Sequence, residues 1–223
     1  MSKIPLASRL LLLALVLAGC DAFSEIDPPV EPEPVRAPAT YVVTFDATWS
    51  ATTHPDDFPA SAHFSPLVGA THGPDVSLWS VGETASDGVR SMAETGSTST
   101  LRTEVEALGT STATFVEGGI VGVSPGMATA ELVVTSLRPL ATVVTMLAPS
   151  PDWFVGVDGL DLREGDGWAE RVTVDLVVYD AGTDDGTTYT AANAPRAERV
   201  PVAATGYGPL AGTVVGTLTF ERQ

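Results

Sequence analysis

Cysteine is nearly absent from this 223-residue chain, which contains only Cys20. A single thiol cannot close an intramolecular disulfide or build a zinc–thiolate cluster, so both kinds of site are excluded. Basic residues are also scarce, with 11 lysines and arginines against 28 acidic residues and a formal net charge of −17. Because nucleic-acid binding needs a basic surface, nucleic acid is not an expected partner.

Catalytic patterns are equally sparse. The three histidines, His54, His63 and His72, lie nine residues apart, a spacing that fits neither a helical nor a strand metal pair. One segment, Gly122-Val-Ser-Pro-Gly126, has the Gly-x-Ser-x-Gly form. Pro125 and the strand-like run after it do not suit the strand-to-helix turn of a nucleophile elbow. We therefore expect a protein that is not an enzyme.

Long apolar runs are missing except at the N-terminus. Lys3 and Arg9 precede the apolar residues 10–17, and Ala-Gly-Cys20 follows at once. This order resembles a bacterial lipoprotein signal with its lipobox. The run is shorter than the roughly 20 residues that span a bilayer, which disfavours a transmembrane anchor. Residues 1–19 are predicted to be the signal peptide and Cys20 the lipidated first residue.

Residues 20–39 are rich in proline and acid. Such a composition favours extended backbone and self-repulsion, so we predict a semi-rigid tether. The chain would then be lipid-anchored in a bacterial cell envelope, on the periplasmic or cell-surface side. The remaining residues, 40–223, fit one domain.

Alternating apolar and polar residues dominate that domain and predict strands. The alternating or continuously apolar runs cover residues 41–49, 112–121, 128–134, 140–148, 153–157, 172–178 and 214–220. They predict an all-β fold, an antiparallel two-sheet β-sandwich of about eight strands. Short helices are predicted over 86–94 and 99–108, and loops over 51–74.

Three aspartates flank two of these predicted strands. If residues 153–157 and 171–178 form a hairpin, Asp152 before the first strand and Asp180 after the second lie at the same end. Asp184 follows in a glycine-containing loop that can curl back toward them. Calcium takes roughly six to eight oxygen ligands, so Ca²⁺ is one interpretation of this pattern. Turn-forming, solvated aspartates are the other.

Several segments resemble the spondin domain family. The longest is residues 149–162, Pro-Ser-Pro-Asp-Trp-Phe-Val-Gly-Val-Asp-Gly-Leu-Asp-Leu, followed by Tyr-Asp-Ala-Gly-Thr-Asp at 179–184. Further similarity lies in residues 41–49, 63–72 and 130–133. Animal members usually have a cysteine directly after the Leu-Asp-Leu sequence.

The resemblance implies a β-sandwich with calcium bound in loops at one end, held by Asp152, Asp180 and Asp184. It also places Glu131 at an acidic position that animal members use in integrin contact, although a plain surface carboxylate is the alternative. Arg163 occupies the position of the usual cysteine, so core burial and metal must hold this fold.

The function expected from these features is that of a calcium-binding, membrane-tethered binding or adhesion module for an unknown protein or glycan. One alternative is an envelope enzyme or accessory protein acting on polysaccharide. Another is a structural surface protein that calcium only stabilises. Glycan and protein arrays probed with and without chelator distinguish them, because only the adhesion function predicts a ligand that is lost with the metal.

The lipobox resemblance generates a prediction for Cys20. Replacement of its thiol, Cys20→Ser, removes the acylation site, so incorporation of a labelled fatty acid and retention in the membrane fraction should both be lost. Metabolic labelling and detergent-phase partitioning measure this. Unchanged partitioning of the variant would show that residues 1–20 are not a lipoprotein signal.

Overall fold

The structure, a computed structural model, describes residues 35–223. The predicted signal peptide, Cys20 and most of the predicted tether lie outside the described residues. The elements in chain order are β1 (Ala39–Ala47), β2 (His63–Phe64), β3 (Val68–His72), α1 (Asp87–Thr95), α2 (Ser99–Ala107), β4 (Ala113–Glu117), β5 (Gly126–Val134), β6 (Leu140–Ala148), β7 (Trp153–Asp161), β8 (Arg163–Glu164), β9 (Gly167–Trp168), β10 (Arg171–Leu176), β11 (Tyr179–Asp180), β12 (Ala203–Ala204) and β13 (Gly216–Arg222).

Two antiparallel sheets form the body of the domain. The four-stranded sheet has the order β10-β13-β1-β5. The seven-stranded sheet has the order β12-β11-β7-β6-β3-β4, with β2 paired to β6, and β8 and β9 form a separate ribbon. The predicted all-β sandwich with two short helices is confirmed.

The main core lies between the two sheets. In β1 the residues Tyr41, Val43, Phe45 and Ala47 are buried, while their neighbours along the strand are less so. Strand β5 shows the same alternation. Because successive side chains of a strand point to opposite faces, the apolar half of each strand faces the other sheet.

A second core covers the other face of the seven-stranded sheet. Helices α1 and α2 supply Val89, Met92, Leu101 and Val105 to it. Ser86 caps α1 by accepting a 3.1 Å hydrogen bond from the amide of Val89. Both predicted helices are present, so the domain has three layers: two sheets and a helical layer.

Strand β3 lies inside the region predicted to be loop. All five of its residues are buried, because β4 and β6 flank it and both of its faces are covered. A strand covered on both faces shows no polar alternation, which is why periodicity does not reveal it. Gly69 is required there, since a Cβ at this position would lie 1.9 Å from the carbonyl oxygen of Thr142.

The predicted hairpin between β7 and β10 is wrong. Strand β7 pairs with β6 and β11, whereas β10 pairs with β13 in the opposite sheet. Residues 164–167, between β7 and β10, form the turn that joins β8 to β9. The chain thus crosses from one sheet to the other between β7 and β10, and returns to the first at β11.

The chain contacts the domain before β1 begins. The amide of Arg36 donates to Oγ of Ser136 at 2.6 Å, and Nε1 of Trp168 donates to the carbonyl of Ala37 at 2.7 Å. Residues 36–37, which fall within the predicted tether, are therefore held against the domain.

Two adjacent valines before β13 test the observed core. The alternation predicts that Val214 faces the core with Leu218, but its exposed fraction is 42%, whereas that of Val215 is 0%. The reason is a local irregularity, because the carbonyl of Val215 accepts from the amides of both Thr48 and Trp49. Val215→Ala should lower the free energy of unfolding by about 2 kcal/mol through lost burial and a cavity.

The matched control Val214→Ala should change that free energy by less than about 0.5 kcal/mol, as surface substitutions do. Urea denaturation of both variants measures the two values. Equal losses of free energy in the two variants would contradict the observation that Val215, and not Val214, faces the core.

Candidate metal centre

Asp152 occupies the turn between β6 and β7 and is fully buried. The turn is fastened by Ser150, whose Oγ accepts a 3.1 Å bond from the amide of Trp153. The carbonyl of Asp152 accepts from the amide of Ala181 at 3.1 Å, which extends the pairing of β7 with β11. The backbone therefore places the Asp152 carboxylate against the loop that follows β11.

The loop after β11 is shaped to surround this carboxylate. Oδ1 of Asp180 accepts from the amide of Gly182 at 2.8 Å, forming a tight local turn. Gly182 has a φ of +73°, and a Cβ there would lie 2.1 Å from the carbonyl oxygen of Val200, so a side chain is excluded. As a result the amides of Thr183 and Asp184 donate to Oδ2 of Asp152 at 2.7 and 3.1 Å.

Asp184 holds the next part of the loop. Its carboxylate is buried, and its two oxygens accept from the amides of Gly186 at 2.7 Å and Ala194 at 2.8 Å. Arg196 closes this segment through a 3.2 Å bond from Nε to the carbonyl of Asp184. Each carboxylate oxygen has two lone pairs, so the amide bonds leave Asp184 able to make a further interaction.

One oxygen of Asp152 has no partner. Oδ2 accepts three hydrogen bonds, the third from Oγ1 of Thr183 at 3.1 Å, whereas the buried Oδ1 accepts none. The pKa of Asp152 is raised from 3.8 to about 6, chiefly by burial and also by the nearby charge of Asp180, against the lowering effect of the hydrogen bonds from Thr183 and Asp184. An orphaned, buried carboxylate oxygen beside a second carboxylate fits a hard cation such as Ca²⁺.

The three predicted ligands are not equally placed. Asp152 and Asp180 interact electrostatically, and Asp184 follows in the same loop. Among residues 35–223, however, no three acidic or histidine side chains gather closely enough to enclose a metal by themselves. Any bound ion would need backbone carbonyls and water in addition to carboxylates.

An aromatic cluster that the sequence did not reveal lies beside this loop. Trp153, Tyr189 and Tyr207 are in mutual ring contact, with Trp153 and Tyr207 stacked at 5.0 Å. Tyr207 lines two clefts of about 330 and 420 Å³, and Asp180 lines the smaller one. The tyrosines come from irregular loops without periodicity; the Gly-Tyr-Gly sequence at 206–208 is their one local signal.

The other candidate residues lie elsewhere. Glu131 is exposed on β5, as predicted, in the sheet that does not contain Asp152. His54 and His72 have packing roles, with Nε2 bonded to Oγ1 of Thr213 and Thr142 respectively. Oγ of Ser124 is bonded to the carbonyl of Trp49, and a strand rather than a helix follows it.

Comparison with known proteins agrees with this architecture. The family described as Spondin_N matches residues 39–206. The chain belongs to the Spondin_N family. Human spondin-2 is 42% identical over 164 residues, which are 71% of this chain and 50% of that protein. Spondin-1 of Gallus gallus is 38% identical over 168 residues, which are 70% of this chain and 21% of that protein.

The Spondin_N match contains the whole candidate centre but not the whole fold. The chain spans half or less of the length of these relatives. Within this chain the match stops before β13, although β13 lies between β1 and β10 in the four-stranded sheet. Residues after the matched region therefore complete that sheet.

The buried carboxyl of Asp152 predicts a pH dependence in the absence of metal. Its pKa is about 6 in the folded chain against 3.8 as the ordinary value. Since the fold binds this proton more tightly, the stabilisation is complete below about pH 4 and is lost as the pH rises to about 6. The side chain of Asp152→Asn does not titrate. Relative to this variant, the free energy of unfolding of the parent should fall by about 3 kcal/mol over this interval.

Urea denaturation in calcium-depleted buffer at several pH values measures that difference. A difference between parent and variant that stays constant from pH 4 to pH 6.5 would show that the Asp152 carboxyl is not buried without a partner.

Proposed function

We propose that this chain is a calcium-binding, membrane-tethered, extracytoplasmic binding or adhesion module rather than an enzyme. The buried, unpartnered Oδ1 of Asp152 next to the Asp180 carboxylate carries the calcium part of the proposal. At neutral pH this carboxyl is ionised, and an unpaired buried charge is costly. A divalent cation removes that cost.

Asp152, Asp180 and Asp184 would hold the ion, and loop carbonyls and water would complete its shell. When bound, the ion supplies positive charge that offsets the carboxylates and fixes the loop after β11. Of the two aromatic clefts that Tyr207 lines, the smaller one is also lined by Asp180 and by Gly186 of this loop. A protein or glycan ligand contacting these clefts would depend on the same loop being ordered.

Tethering is supported by the lipobox resemblance at Cys20, which would supply a lipid anchor. Neither helix among residues 35–223 has the length and apolar character needed to cross a bilayer. Glu131, on the exposed face of the four-stranded sheet, is a second candidate for partner contact.

Calcium should raise the melting temperature of the protein. At free calcium about a hundred times the dissociation constant, binding stabilises the fold by about 2.7 kcal/mol, which corresponds to roughly 5–10 °C for a domain of this size. Asp180→Asn should lose most of this rise, because it removes a ligand charge and leaves one oxygen to accept the Gly182 amide. Differential scanning calorimetry with calcium and with chelator measures the shifts.

The matched control is Asp166→Asn. Asp166 is exposed in the β8–β9 turn, beyond the end of β7 opposite to Asp152, so its variant should keep the full calcium response. A parent that melts at the same temperature with and without calcium would exclude the metal site.

The adhesion part of the proposal is tested on glycan and protein arrays. Binding should be lost when chelator is added, and chelator-insensitive binding would contradict this part.

A further inference from the structure

A groove of about 460 Å³ lies between β7 of the seven-stranded sheet and β10 of the four-stranded sheet. The segment containing Trp79 and Val81 forms one wall of it, and Gly156, Asp158 and Asp175 contribute to the others. It is separate from the aromatic clefts, with which it shares no lining residue.

Part of the β7 edge along this groove has no strand partner. Of the β7 residues, Trp153 and Phe154 pair with β11, and among the described residues no strand continues that pairing. Alternate residues direct their N–H and C=O groups to the same side of a strand. Because the carbonyl of Asp152 faces Ala181, the backbone groups of Gly156 face that side too, beyond the end of β11. The groove is therefore lined by an unpaired strand edge, along which Gly156 is buried and Asp158 is exposed.

Apolar surface accompanies this edge. Val81 has an exposed fraction of 61% and lines the groove together with the aromatic residues Trp79 and Tyr179. Trp79 packs on Phe154 and on Tyr179, each at 4.9 Å between ring centroids. This packing fixes the apolar wall of the groove.

The charge of the groove is negative. Asp158 and Asp175 are its two charged residues, and both are aspartates. The carboxylate of Asp158 accepts from Oγ of Ser80 at 2.5 Å, which fixes it at the wall. Nothing basic lines the groove, so its carboxylates favour a cationic partner.

We propose that this groove binds an extended peptide by strand addition to β7. The peptide pairs with β7 in line with β11, beyond the end of that strand. It donates and accepts main-chain hydrogen bonds along the edge at Gly156. Its alternate residues are apolar, against Trp79 and Val81, and basic, toward Asp158 and Asp175. The proline-rich, acidic sequence of residues 21–34 has the opposite chemistry, so the occupant is a different polypeptide.

This site goes beyond the proposed calcium function and uses different residues. Its test is carried out with calcium present throughout, so a failure of the metal proposal and a failure of this one give different results. The protein is the full mature chain.

The probe is a fluorescent, end-blocked peptide of about seven alternating lysine and valine residues, with affinity read by anisotropy. Two comparison peptides carry glutamate in place of lysine, or N-methyl groups on alternate residues that remove one row of N–H donors. Each should bind about tenfold or more weakly than the lysine peptide. The amide signal of Gly156 should shift in nuclear magnetic resonance spectra on addition of the lysine peptide.

Two variants locate the binding. Val81→Lys removes an exposed apolar side chain and adds a charge of the same sign as the peptide, and Trp79→Phe keeps an aromatic ring but reduces the apolar wall; both should weaken binding about tenfold. The matched control Val133→Lys makes the same change at an apolar residue with an exposed fraction of 42% on β5, in the other sheet, and should leave the affinity unchanged.

Three outcomes overturn the proposal. One is no binding of the lysine peptide up to about 1 mM. Another is binding of the N-methylated peptide, or binding of the lysine peptide by Val81→Lys, with the affinity that the parent has for the lysine peptide. The third is concentration-dependent dimerisation of the protein that Val81→Lys abolishes, which would assign the groove to a second copy of this chain.

Discussion

The buried carboxylate of Asp152 is the constraint on which the arrangement of this end of the domain depends. Its Oδ2 accepts hydrogen bonds from the amides of Thr183 and Asp184, and so fixes the loop that carries Asp184 directly after Asp180, the last residue of β11. Its Oδ1 is buried without a partner. A carboxylate in this state either keeps a proton or takes a cation, and with a pKa of about 6 it is mostly ionised at neutral pH. The loop and a cation are therefore expected to stabilise one another.

The same constraint acts where the chain changes sheets. The chain leaves the four-stranded sheet at the end of β10 and enters the seven-stranded sheet through β11, which is only two residues long. The position of so short a strand depends on the residues next to it in the chain. The loop directly after β11 is hydrogen-bonded to Asp152. The loop thus holds β11 in place directly after the crossing between the sheets, and the cleft lined by Trp153, Asp180 and Tyr207 lies beside it.

Sequence patterns predicted the strands that have one solvated face and the long apolar run of β6, but they missed the short, doubly covered strand β3. Strands β1 and β5 alternate clearly because solvent lies on one side, whereas β3 is buried on both and has the sequence character of a loop. The hairpin was wrong because no local pattern states which sheet a strand joins. Asp152 and Asp180 nevertheless lie together, since Trp153 pairs with Asp180 through β11. Tyr189 and Tyr207 could not be found from periodicity, because loops bring them to the site.

Calorimetric titration of calcium into the calcium-depleted protein at neutral pH tests the central claim most directly. The orphaned oxygen of Asp152 predicts saturable binding of one ion per chain, with strongly reduced affinity in Asp152→Asn, where an amide replaces the buried charge. Absence of calcium binding in the parent, or an unchanged affinity in Asp152→Asn, would contradict the account.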